Sequence, residues 1–134
     1  MNIFIDCEWN SYKGQLISMA MVADNNEEFY EVLHINSVDI WVAKNVIPVL
    51  NKEATNNLYF IKLFNEFLNK FDSINLIADW PEDIEHFCKL LIPEAGKRYN
   101  TPPLTIEIVP IDSFSLIPHN ALEDARALKK AYYK

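Results

Sequence analysis

Asn2-Ile3-Phe4-Ile5-Asp6-Cys7-Glu8 opens the chain with an apolar strand pattern that ends in two carboxylates. Isoleucine and phenylalanine suit a pleated, buried surface, and the near-continuous apolar run predicts a central strand. Residues two apart in a strand share a face, so Asp6 and Glu8 point the same way at the strand's end. Two ionised carboxylates at the edge of a core repel each other and lose hydration. Divalent cations with a preference for oxygen ligands, Mg²⁺ or Mn²⁺, are the natural compensation.

Outward from this strand, Leu16 to Val22 and Glu28 to His34 read as two more, joined by Lys13-Gly14 and Asp24-Asn25-Asn26. Short turns between successive strands predict an antiparallel meander. Val38 to Ile47 then has helical spacing, with Ser37 as its N-cap. Thr55 to Phe71 predicts a second helix with Leu58, Ile61, Phe64, Phe67 and Leu68 along its inner side. Ser73 to Ala78 predicts a fourth strand, Pro81 to about Leu91 a helix with proline in its first turn, Leu104 to Val109 a fifth strand, and Asn120 to Tyr132 the last helix. Three antiparallel strands followed by strand–helix units predict one α/β domain over residues 1–134, a mixed five-stranded sheet flanked by helices.

At 134 residues the chain is long enough to bury a core, and with half its residues hydrophobic it has the composition to do so. Two glycines are too few for a phosphate-cradling glycine loop. Two cysteines, with neither zinc spacing nor a disulfide framework, predict a reducing compartment. No signal-peptide pattern and no apolar run near the roughly 20 residues of a bilayer span is present, so the expectation is a cytoplasmic protein without membrane contact. Nineteen acids against twelve Lys and Arg give a net charge of −7. That balance disfavours a general nucleic-acid binder, but bound cations invert the local field that a phosphate meets.

Two further acidic stretches carry the chemistry. Near the C-terminus stands His119-Asn120-Ala121-Leu122-Glu123-Asp124. Asn120 is a good N-cap, with Glu123 as its capping-box partner. Asp124 has no capping duty and lies beside the apolar positions Leu122, Ala125 and Leu128. His119, just outside the helix, can reach a water that Asp124 helps to position. In the middle stretch, Asp79-Trp80-Pro81-Glu82-Asp83, Asp83 lies beside the inward stripe of its helix and is the preferred ligand, with Asp79 its neighbour. Helix-start acids are also commonplace, being favourable to the dipole. His34 reads as a surface or structural residue and His86 as a decoy. The tryptophans Trp9, Trp41 and Trp80 read first as core or interface residues, although Trp9 follows the acidic pair closely enough to stack a base.

Together these elements resemble the DEDDh family of 3′→5′ exonucleases, and the element order resembles the ribonuclease H-like architecture. Asp6-Cys7-Glu8 matches the family's D-x-E. His119 to Asp124, in HNALEDA, matches its H-x-x-x-x-D. Where the second motif commonly has asparagine four residues before its aspartate, this chain has Asp79 before Asp83. The stretch Trp41 to Pro48 looks like a small bacterial and phage exoribonuclease branch. The resemblance implies that Asp6, Glu8, Asp83 and Asp124 hold two divalent ions and that His119 is the general base. It further implies that Cys7, Trp9, Asp79 and Asn120 lie beside the substrate. That substrate would be a single-stranded or 3′-overhanging nucleic acid, RNA favoured, releasing nucleoside 5′-monophosphates. Lys97, Arg98, Lys129 and Lys130 are the basic residues available for backbone contact. The competing readings are a non-catalytic binding module of the same architecture, an endonuclease of the same superfold, and an acidic interaction protein. The sequence is compatible with both a monomer and a homodimer.

Overall fold

The computed structural model describes residues 1–134 as an α/β fold with one mixed six-stranded sheet and four α-helices. The strands β1 (Asn2–Trp9), β2 (Leu16–Ala23) and β3 (Glu28–Leu33) form the antiparallel meander. There follow α1 (Ile40–Asn45), a 3₁₀ turn (Ile47–Val49), β4 (Ala54–Thr55), α2 (Asn57–Leu68), β5 (Ile74–Ala78), α3 (Pro81–Leu90), β6 (Leu104–Ile108) and α4 (Ala121–Tyr132). The sheet order is β4-β3-β2-β1-β5-β6, with β5 parallel to β1, β6 parallel to β5 and β4 parallel to β3. No helix is long and apolar enough to cross a membrane.

The five expected strands are present; the sixth, β4, was not expected. It has two residues, which pair with Val32 and Leu33, and no alternation pattern can register over that length. It also takes Thr55 out of the second helix, which starts at Asn57 behind an N-cap from Asn56, whose side chain accepts the Tyr59 N–H at 2.8 Å. The stripe shifts accordingly: Phe60, Phe64, Phe67 and Leu68 are buried, while Leu58 faces solvent. The first helix is shorter than its apolar spacing suggests, and Asp39 rather than Ser37 holds its N-cap position.

The two faces of the sheet are filled differently. On one, Ile3, Ile5, Cys7, Met19 and Met21 pack beneath the phenylalanines of α2 and Phe87 of α3. On the other, Ala121 and Ala125 of α4 sit on Ala20 and Val22, and Leu128 sits on Phe4 and Ile77. Alanine against alanine lets α4 approach β1 and β2 closely. Alternation along β1 puts Asp6 and Glu8 on this second face, with Ala20 and Ser18 as their cross-strand partners. Phe64 is the keystone of the first face, fully buried and edge-on to both Phe29 and Phe87. Phe64→Ala is expected to destabilise the protein by about 3–5 kcal/mol, seen as a fall in urea midpoint with cooperativity retained.

Candidate metal centre

The site forms where parallel strands end. Phe4 of β1 is level with Ile77 of β5, so two residues further on Asp79, just past the end of β5, stands beside Asp6, which is still paired with β2. This is the carboxyl end of the parallel strands, where open α/β sheets bind their ligands. Trp80 and Pro81 turn the chain into α3, and Asp83 falls in its first turn. α4 crosses the β1–β2 face and brings Asp124, in its own first turn, over the same point.

Five carboxylates converge as a result. Ligand oxygens of Asp6, Glu8 and Asp124 lie within 4.8 Å of one another, as do those of Asp6, Asp79 and Asp83. Asp6 belongs to both groups. A hard divalent cation takes oxygen ligands at about 2.0–2.6 Å, so opposed ligands stand no more than about 5 Å apart. Both triads meet that spacing. The Asp83 side chain is almost wholly buried; its Oδ1 accepts the Cys7 N–H at 3.0 Å and its Oδ2 has no protein partner. Asp6 Oδ2 is likewise shielded and unpartnered, although the rest of that residue borders the pocket. A buried carboxylate oxygen without a donor is costly. A cation between the acids would satisfy both.

The carboxyl pKa values are raised together. Burial first, then the charges of Asp83, Glu8, Asp124 and Asp79, hold Asp6 well above its ordinary range. Burial and the neighbouring Asp124 and Asp83 push Glu8 up to about 9. Asp83 is raised by burial against the opposing Cys7 hydrogen bond. Asp79 and Asp124 also rise, chiefly through burial. Asp124 is moderated by bonds from the Ser115 hydroxyl and the His119 N–H.

His119 lies with Asp6, Asp79 and Asp124 around a cavity of about 320 Å³, whose other walls are Ser113, Phe114, Ser115 and Pro118. Its backbone is left-handed, φ 71°, and its N–H donates to Asp124 Oδ2 at 3.2 Å. Histidine tolerates this region better than most residues.

Asp6, Glu8, Asp83, Asp124 and His119 therefore come together as expected. Asp79 does more than neighbour the site, since it completes the second triad. Other expected neighbours are placed elsewhere. The Cys7 thiol is buried on the opposite face among Ile3, Ile5 and Met19, where it donates to the Asp83 backbone carbonyl at 3.9 Å, and its backbone N–H serves the Asp83 carboxylate. Trp9 follows a register irregularity after Glu8, and its ring stacks on His86 at 5.2 Å, on the α3 side of the sheet. Asn120 is buried with its amide fully engaged: Oδ1 caps α4 by accepting the Glu123 N–H at 3.0 Å, and Nδ2 donates to Val49 O at 2.8 Å and Leu50 O at 3.3 Å. Glu123 does not close the capping box, because its carboxylate pairs with Arg126. The four basic residues do not line the pocket. Lys129 is tied to Ala23 O and Asn26, Lys97 to Glu94, and Arg98 lines a separate cavity near Tyr99. Sequence reasoning missed Ser115, which lies in an irregular segment where no period marks its direction, and the contact of Trp41 with His119.

No known family model matches the chain, and no curated protein matches it.

Raised carboxyl pKa values make the folded protein bind protons more tightly than the unfolded chain. Their contribution is present in full below the ordinary carboxylate pKa of about 4 and is lost as pH rises through the folded values, reaching about 9 for Glu8. The unfolding midpoint measured in chelator should fall from roughly pH 5 to pH 9, and Mn²⁺ should raise it most at the alkaline end. A midpoint indifferent to Mn²⁺ across this range would contradict the assignment of the triads.

Proposed function

We propose that the chain is a metal-dependent phosphodiesterase with a ribonuclease H-like fold. Within that class the reading is a DEDDh-type 3′→5′ exonuclease, acting on single-stranded or 3′-overhanging nucleic acid, with RNA favoured from the likeness of residues 41–48. The observation that carries it is Asp6, shared by two carboxylate triads, with a shielded, unpartnered oxygen and with His119 on the rim of the same cavity.

Asp6, Glu8 and Asp124 would hold one divalent cation, and Asp6, Asp79 and Asp83 a second. Two such cations supply activation of a water and charge stabilisation on the attacking and leaving oxygens of an in-line displacement at phosphorus. His119, on the rim of the same cavity, accepts the proton that the water loses, as a general base. The new bond joins the water oxygen to phosphorus, the bond to the 3′-oxygen of the preceding nucleotide breaks, and that oxygen takes a proton from solvent. The products are a nucleoside 5′-monophosphate and a chain shortened by one residue with a free 3′-hydroxyl. Asp124 serves twice, as ligand and as the acceptor that fixes the His119 backbone. The open wall formed by Ser113, Phe114 and Ser115 leaves room for a terminal nucleotide.

Asp6→Asn removes one charge from the point where all the others meet. It should abolish Mn²⁺-dependent release of mononucleotides from a 3′-labelled oligoribonucleotide, while raising the unfolding midpoint of the metal-free protein. Loss of stability in chelator, or retention of most turnover, would count against the site. His119→Ala should slow hydrolysis by roughly 10²–10⁴-fold with Mn²⁺ binding intact by calorimetry. Cation binding by the wild type without turnover on RNA or DNA ends would instead identify a binding module, and cutting of a circular single strand an endonuclease.

A further inference from the structure

The His119 imidazole makes no hydrogen bond to protein, and its one aromatic neighbour is Trp41, at 5.0 Å between ring centroids and 83° between planes. Catalytic histidines are ordinarily oriented by a carboxylate or carbonyl bound to the second ring nitrogen. Here Asp124 holds only the backbone of residue 119. The rotamer of the ring is left to the aromatic contact, and an edge-to-face pair has a definite geometric preference.

Trp41 is one of the large hydrophobic side chains that the fold leaves exposed. α1 buries Val42 and contributes little else to the core, while Trp41, on the same short helix, is 55% exposed. The helix is also not free to drift. The 3₁₀ turn that follows it is fastened to the start of α4 through Asn120, which donates to Val49 O and Leu50 O, and the Tyr30 hydroxyl donates to Leu50 O as well. The residue after His119 and the helix bearing Trp41 are thereby joined into one corner.

We infer that Trp41 is a positioning residue for His119, and that Asn120 sets the distance between them by clamping residues 49–50 to α4. This rests on the phosphodiesterase reading above. Trp41 orients the imidazole toward the cavity so that its free nitrogen faces the water; it acts on the rate of the proton-accepting step rather than on substrate affinity.

The test is a cycle of Trp41→Ala, Trp41→Phe and His119→Ala, assayed with Mn²⁺ on an oligoribonucleotide and on the same chain ending in an abasic nucleotide. Trp41→Ala should lower kcat roughly 10- to 100-fold with KM changed less than about threefold, equally on both substrates. Trp41→Phe, which keeps an aromatic face, should recover most of the loss. In the His119→Ala background Trp41→Ala should add almost nothing, as expected for two residues acting as one unit. In metal-free protein, Trp41→Ala should move the His119 ring proton resonances, which lie against the indole. Unmoved resonances, an additive loss in the His119→Ala background, or an effect confined to the base-bearing end would overturn the positioning role. The last result would make Trp41 a base platform instead. The kinetic outcomes need an active wild type and the resonances do not, so both are distinct from failure of the phosphodiesterase reading, in which the wild type itself shows no Mn²⁺-dependent turnover and the catalytic part of the Trp41 assignment falls with it.

Discussion

Repulsion among carboxylates governs this molecule. Asp6, Glu8, Asp79, Asp83 and Asp124 are gathered at one end of the sheet, and no lysine or arginine lines the cavity that Asp6, Asp79 and Asp124 border. At the spacings involved, like charges in a partly dry environment oppose folding by far more than exposed pairs do. The protein tolerates them only by keeping protons on them or by taking up cations. The surroundings answer that constraint. The Cys7 N–H is directed at Asp83 and the His119 N–H at Asp124, and the small residues Ala20 and Ser18 stand opposite Asp6 and Glu8.

The fold supplies what holds the acids in place. Phenylalanines from α2 and α3 fill one face of the sheet and make it rigid. On the other, an alanine-lined contact brings α4 close enough for Asp124 to meet Asp6. Stability generated on the first face offsets strain accumulated at the edge of the second. The division is of the kind expected where a functional site breaks the rules that the rest of the chain obeys.

Much of this was legible in residue order. β1, β2 and β5 carry apolar runs dense enough to declare themselves, and the proline start of α3 and asparagine start of α4 mark their helices clearly. Asp6 and Glu8 share a face by simple alternation, and Asp124 stands out as an acid beside an apolar stripe. What escaped was set by tertiary contact. β4 exists only because β3 offers it two partners. Trp9 reads as a neighbour of the acids, yet alternation and the irregularity after Glu8 send it to His86 on the other side. Asn120 reads correctly as a cap, but its second duty, to Val49 and Leu50, spans about seventy residues of chain and leaves no local trace. Asp79 could be placed among the ligands only once the parallel register of β1 and β5 was known.

The doubly engaged amide of Asn120 also makes this corner chemically fragile in one specific way. Hydrolysis of that side-chain amide to aspartate, one product of asparagine ageing, exchanges a single nitrogen for oxygen. The helix cap would survive, since an acceptor remains. The two carbonyls of residues 49 and 50 would instead confront a new negative charge, four residues before that of Asp124. A protein that has aged at this position would keep its sheet and its acids while the corner that joins residues 49–50 to α4 came undone, so that damage here need not be accompanied by unfolding.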